Sequence, residues 1–148
     1  MHILFVCTGN TCRSPMAEFY FRALCKECGR LEFSAGSAGI SAAGGEPISQ
    51  GAAAVLSLYG ISSSGFRSRC LSAGEVEKAD LILTMTNGHL EMVKEKFPQA
   101  KAKTRLLLEF LDAPGDIPDP YGGPIEQYQA VFETMRFAID ELAKSLFK

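Results

Sequence analysis

Nothing in the 148-residue sequence is long and apolar enough to span a membrane as a helix, and positive charge is not in excess: 15 lysines and arginines face 17 aspartates and glutamates, a net charge of −2. The first absence excludes a membrane-spanning helix, which needs about 20 apolar residues. The second argues against a sequence-independent grip on nucleic acid, because no basic stripe appears. The five cysteines are an odd number, so a complete set of internal disulfides is excluded. The short N-terminal apolar run lacks a positive flank and is too short for a secretory leader. These absences together point to a reducing cytoplasm. There are only two histidines, His2 and His89, with no partner at metal-ligand or triad spacing; they read as a strand-end and a helix-surface residue. No repeat, low-complexity tract or linker divides the chain, so residues 1–148 are expected to form one domain. An apolar fraction of 47% and a charged fraction of 22% suit a soluble globular protein.

What is present is concentrated near the N-terminus, in Cys7-Thr8-Gly9-Asn10-Thr11-Cys12-Arg13-Ser14. The preceding run, His2-Ile3-Leu4-Phe5-Val6, reads as a buried strand. The following Ser14-Pro15 reads as a helix start, with Ser14 as N-cap and Pro15 at the first helical position. A strand, a tight loop and a helix N-terminus bring backbone N–H groups to one point and favour negative charge there. Cys7 opens this cradle, where amides and helix end stabilise a thiolate. Arg13 closes it and can hold two oxygens of a tetrahedral anion. Ser14 can donate its hydroxyl to the thiolate or to the anion. A nucleophile and an anion cradle on one loop make a phosphoryl-transfer site; a free, inert cysteine in a βα turn is the plainer alternative.

The stretch resembles the signature of the low-molecular-weight protein tyrosine phosphatase family, Cys-x-Gly-Asn-x-Cys-Arg-Ser-Pro, with every fixed position met by Cys7, Gly9, Asn10, Cys12, Arg13, Ser14 and Pro15. The resemblance implies a four-stranded parallel sheet flanked by helices. The alternating pattern agrees: strands are expected over Leu31 to Ala38, Asp80 to Met85 and Thr104 to Phe110, with helices from Ser14 to Cys28, after Ser49, after Thr86-Asn87 and after Pro124. The site then lies at the carboxyl ends of the strands.

Hydrolysis also needs a proton delivered to the leaving atom. Asp119, pinned between Pro118 and Pro120 in a loop running from Asp112 to Gly123, looks like the family's Asp-Pro-Tyr element. In that element the aspartate is general acid and then general base. Asp116 is the rival carboxylate, and an ordinary Asp-Pro turn the plainer alternative. Tyr121 is expected to form an aromatic wall of the pocket, or else to pack on the last helix. The resemblance implies that Cys7, Arg13 and Asp119 are catalytic, through a cysteinyl-phosphate. Thr8, Gly9, Asn10, Thr11, Cys12, Arg13 and Ser14 would hold the phosphate. No metal or cofactor is expected, since the loop and Arg13 already supply positive potential.

Thr11 speaks to substrate. Tyrosine-specific members often carry an apolar residue there, whereas threonine, with Met16-Ala17-Glu18 and Asp119-Pro120-Tyr121-Gly122-Gly123, resembles the protein-arginine phosphatase branch. A hydroxyl suits a polar guanidinium leaving group, and a branched apolar chain suits a phenyl ring. The expected substrates are proteins phosphorylated on arginine, with phosphotyrosine as the alternative; orthophosphate is the product and the chain a monomer. Cys12 could trap an oxidised Cys7 as a disulfide, or simply pack beneath the loop. An arsenate reductase of the same fold would need two further downstream cysteines, and only Cys70 lies beyond residue 28. Cys25 and Cys28 have C-x-x-C spacing without a second pair, and read as incidental.

Overall fold

The computed structural model describes residues 1–112 and 115–148, and in it the apolar run ahead of the loop is strand β1, His2–Cys7. There follow α1 (Arg13–Glu27), β2 (Ser34–Gly39), α2 (Gln50–Leu58), α3 (Ala73–Lys78), β3 (Leu81–Thr84), α4 (Asn87–Lys96), β4 (Thr104–Leu106) and α5 (Ile125–Leu146). Short 3-10 segments, Pro98–Lys103 and Leu107–Leu111, flank β4. The strands are parallel in the order β2-β1-β3-β4, the expected α/β architecture.

Period-two alternation along β1 separates two cores. Ile3, Phe5 and Cys7 face the larger one, where they meet Met16 and Phe21 of α1, Val55 and Leu56 of α2, and Phe132, Met135 and Ile139 of α5. Leu4 and Val6 face the other, with Val76 of α3, Val93 of α4 and Phe97. The nucleophile candidate therefore leaves β1 on the α1/α5 side of the sheet. Because β1 has neighbours on both sides and the chain crosses to β2 first and to β3 later, its carboxyl end is the topological switch point, where open sheets place their sites.

Most helix boundaries follow local chemistry. Ser49, Ser72 and Thr86 cap α2, α3 and α4 by accepting from Ala52, Glu75 and His89 N–H groups. Gly29 and Gly60, at φ of 67° and 72°, take the left-handed conformation that ends α1 and α2.

Three boundaries depart from expectation. The second strand starts at Ser34 rather than Leu31, which is 81% exposed. The fourth strand stops at Leu106 and tightens into a 3-10 turn that buries Leu107 and Leu108 on consecutive positions, which a strand facing one core cannot do. Ser14 is not a cap: α1 begins at Arg13, its N-cap is Cys12, and no side chain caps it. Of the expected Asp112–Gly123 loop, Ala113 and Pro114 lie outside the described residues; the remainder holds no helix or strand.

Candidate active site

Leaving β1, the loop from Thr8 to Cys12 passes against the end of β2 so closely that a Cβ on Gly39 would lie 2.5 Å from the Thr8 carbonyl oxygen. Only glycine permits that approach. Inside the loop Asn10 adopts φ 57°, the left-handed conformation that asparagine tolerates better than most residues. The N–H groups of Thr8 to Cys12 donate to no backbone acceptor among the described residues. With the uncapped start of α1, they leave a set of donors for an anion.

Asn10 is fully buried and fixes the direction of a hydrogen-bond chain. Its Oδ1 accepts from the Arg69 main-chain N–H at 2.8 Å, a group that can only donate, so the amide cannot be reversed. Its Nδ2 therefore donates to Ser14 Oγ at 2.8 Å and to Ser37 Oγ at 2.9 Å. Both hydroxyls, already accepting, keep their hydrogens for other partners. Ser37 donates to Glu18, which is buried against Arg22 at 2.6 Å and whose pKa burial raises. Ser14 donates to Cys7 Sγ at 2.9 Å. That contact is what the loss of the expected Ser14 cap makes available.

Asn10→Ala should strand the Ser14 and Ser37 hydroxyls and the Arg69 N–H, and place alanine at positive φ. We expect a loss of about 3 kcal/mol in urea unfolding, and an unchanged midpoint would refute this account of the loop.

Arg13 is buried beneath the opening of the loop, its guanidinium donating to the Ile117 carbonyl at 3.0 Å. Ile117 is itself fixed, its N–H bound to the Met85 carbonyl at the end of β3. This anchor carries the Asp-Pro segment across the site. Asp119 Oδ2 lies 3.7 Å from Arg13, and Oδ1 accepts the Tyr121 N–H at 3.0 Å, an Asx turn that orients the carboxylate. Asp116 turns the other way and accepts from Asn87, N–H at 2.7 Å and side chain at 3.3 Å, at the start of α4.

Cys7, Thr8, Gly9, Thr11, Cys12 and Arg13, with Asp119 and Tyr121, line a cavity of about 250 Å³, completed by Glu46. Tyr121 stands at its rim, 73% exposed. Thr11 is held in the wall by its carbonyl, which accepts the Ser49 N–H at 2.9 Å. Cys12 is buried, its sulfur 3.2 Å from Ser49 Oγ and 3.5 Å from Tyr128 Oη. Among the described residues no cluster of three histidine, cysteine or carboxylate groups could hold a metal ion.

Two residues of the site escape sequence reading. Glu46 sits in an exposed loop, its backbone tied reciprocally to Ser68, with no local pattern to mark it. His89 is not a helix-surface residue: it is 6% exposed, and its Nε2 lies 2.8 Å from Thr8 Oγ1. It stands four residues before Val93 and eight before Phe97, so helical spacing does carry that signal. His2 is at the strand end, its Nδ1 2.8 Å from Ser34 Oγ. Cys25 is buried, which raises its thiol pKa to about 11, and Cys28 and Cys70 are exposed, so none enters the site.

Residues 2–148 match the family model described as low molecular weight phosphotyrosine protein phosphatase. The chain is 45% identical to a protein-arginine-phosphatase of Geobacillus stearothermophilus, over 97% of this chain and 95% of that one. It is 35% identical to the low molecular weight protein-tyrosine-phosphatase Etp of Escherichia coli K12, over 97% and 93% of the two chains. Among solved structures it resembles the arginine phosphatase YwlE in a form whose active-site cysteine is replaced by a phosphorylated serine. That match has a TM-score of 0.94 at 35% identity and covers 100% of this chain and 97% of the other.

Proposed function

The chain belongs to the low molecular weight phosphotyrosine protein phosphatase family, and on that footing we propose that it is a protein-arginine phosphatase. The observation that carries the phosphatase reading is the convergence of the Cys7 sulfur, the Arg13 guanidinium and the Asp119 carboxylate on one small polar cavity. Cys7 thiolate attacks phosphorus in line, and Arg13 with the amides of Thr8 to Ser14 holds the equatorial oxygens. Asp119 protonates the leaving nitrogen or oxygen. The phosphorylated serine of the related YwlE structure supports a cysteinyl-phosphate at the corresponding position. Asp119, now a carboxylate, takes a proton from the water that hydrolyses it, releasing orthophosphate and restoring the thiolate.

Arginine over tyrosine is supported by the rim and by the related arginine phosphatases. The guanidinium of phosphoarginine is a planar fork of donors. Thr11 and Glu46 offer it a hydroxyl and a carboxylate beside the Asp119 acid, and among the described residues Tyr121 is the only aromatic side chain lining the cavity. A phenyl ring would leave those groups desolvated and unpaired.

The deciding measurement is kcat/KM on matched phosphoarginine and phosphotyrosine peptides, where phosphoarginine should be preferred. Thr11→Ile should move that ratio toward phosphotyrosine by about tenfold, the scale of one pocket contact; a stationary ratio would remove Thr11 from the account of specificity. We assign the reaction to a single domain over residues 1–148 that acts as a monomer in the cytoplasm on phosphorylated proteins. No helix of the described chain is long and apolar enough to cross a membrane. Cys12 is the candidate thiol to condense with a Cys7 sulfenic acid formed by a peroxide, giving a disulfide and water.

A further inference from the structure

His89 is a buried titratable group that the reaction above leaves unused. It lies in the first turn of α4, its main-chain N–H bound to Thr86 Oγ1 at 3.1 Å. Its Nε2 is 2.8 Å from Thr8 Oγ1, and that same oxygen is 3.5 Å from an Arg13 guanidinium nitrogen. Its Nδ1 is buried without a partner among the described residues. The charges that face the ring are Arg13, Asp116 and Asp119; burial first, and Arg13 next, lower its pKa to about 4. The imidazole is therefore neutral near pH 7 and carries a single N–H.

Resting on the phosphatase reading of this same site, we propose that His89 is a positioning residue whose Nε2–H donates to Thr8 Oγ1, so that the Thr8 hydroxyl presents its own hydrogen to the substrate phosphoryl group. The proton bookkeeping follows from the contacts. If Thr8 donated to Nε2 instead, the ring proton would sit on Nδ1 as a stranded buried donor, costlier than an unused acceptor. With Nε2 protonated, the two acceptor positions of Thr8 Oγ1 are taken by His89 and Arg13. Its hydrogen has no other side-chain acceptor among the described residues, and Thr8 lines the cavity. Thr8 thus adds a side-chain donor to the backbone cradle, aimed from behind by a group that touches neither substrate nor nucleophile.

A double-mutant cycle tests this with Thr8→Val and His89→Leu, using p-nitrophenyl phosphate and inorganic phosphate as a competitive inhibitor. Each single variant should weaken phosphate inhibition and lower kcat/KM by about tenfold, the size of one hydrogen bond. The double variant should be no worse than either single one, and His89→Gln, which restores a side-chain N–H, should recover most of the loss. Multiplying effects would overturn the proposal. So would a Thr8→Val variant with unchanged phosphate inhibition, which decides the matter even if His89→Leu does not fold. Nitrogen NMR of the wild-type ring should show the proton on Nε2, and a proton on Nδ1 would refute the assignment. Wild-type turnover tests the phosphatase reading separately.

Discussion

Cys7→Ser should bring turnover down by at least about 10³-fold, more than about 4 kcal/mol of transition-state stabilisation, while phosphate still binds within a few-fold. The asymmetry follows from how the site divides its work. In the proposed site, binding rests on the Arg13 guanidinium, held by the Ile117 carbonyl, and on loop amides that have no backbone acceptor among the described residues. None of these contacts is made by the sulfur. The proposed nucleophile, the Cys7 sulfur, faces the Ser14 hydroxyl 2.9 Å away. A serine at position 7 can keep that hydrogen bond, but its hydroxyl is not ionised near neutral pH, and its side-chain partner among the described residues, Ser14, is not a base that could take the proton. Isothermal titration with phosphate or vanadate, paired with single-turnover rates, separates the two effects. Residual turnover above a few per cent, or loss of anion binding equal to the loss of rate, would displace Cys7 from the nucleophile's role.

Asp119→Asn should produce the second largest effect, and a selective one. Asparagine keeps an acceptor for the Tyr121 N–H, so the Asx turn that places the side chain survives. What it loses is the transferable proton. For leaving groups that cannot depart as anions, the guanidine nitrogen of phosphoarginine among them, general acid catalysis contributes roughly 10²–10⁴-fold. For p-nitrophenolate, a stable anion, that help is worth far less. The comparison should be made on kcat/KM, which reports formation of the phosphoenzyme, because kcat also includes the hydrolysis step in which Asp119 is proposed to act as base. An equal loss on both substrates would mean that Asp119 only shapes the pocket. Asp116→Asn is the internal control: that carboxylate binds the start of α4 and does not line the cavity, so leaving-group dependence should be unchanged.

The parts of the site that were legible in the sequence are those built from one continuous stretch. The loop from Cys7 to Ser14 carries the proposed nucleophile, the arginine and the candidate anion donors within eight residues, and the glycine and asparagine it needs for its shape stand in the same run. Local chemistry likewise accounts for the caps at Ser49 and Thr86 and the left-handed stops at Gly29 and Gly60. The misreadings arise where tertiary contacts override a local preference. Ser14 has the right neighbours for a cap, but Asn10 and Cys7 claim its hydroxyl. Leu106 to Leu108 is a short apolar run, which periodicity alone cannot divide between strand and 3-10 turn. Asp116 and Asp119 are separated by what they face across space, the start of α4 in one case and Arg13 in the other. Glu46 reaches the cavity only because its loop is laced to Ser68, a pairing between distant residues without local signature.

The Asn10 chain of hydrogen bonds has a kinetic side as well. A loop whose shape is locked by Arg69, Ser37 and Ser14 does not have to be ordered by the incoming ester, so little binding free energy is lost to organising it. The same readiness greets any tetrahedral dianion. Orthophosphate released by the last step meets a receptor already in the bound shape, and its departure competes with the arrival of the next phosphoprotein. An enzyme built this way should slow as its product accumulates, which initial rates measured against added orthophosphate would check.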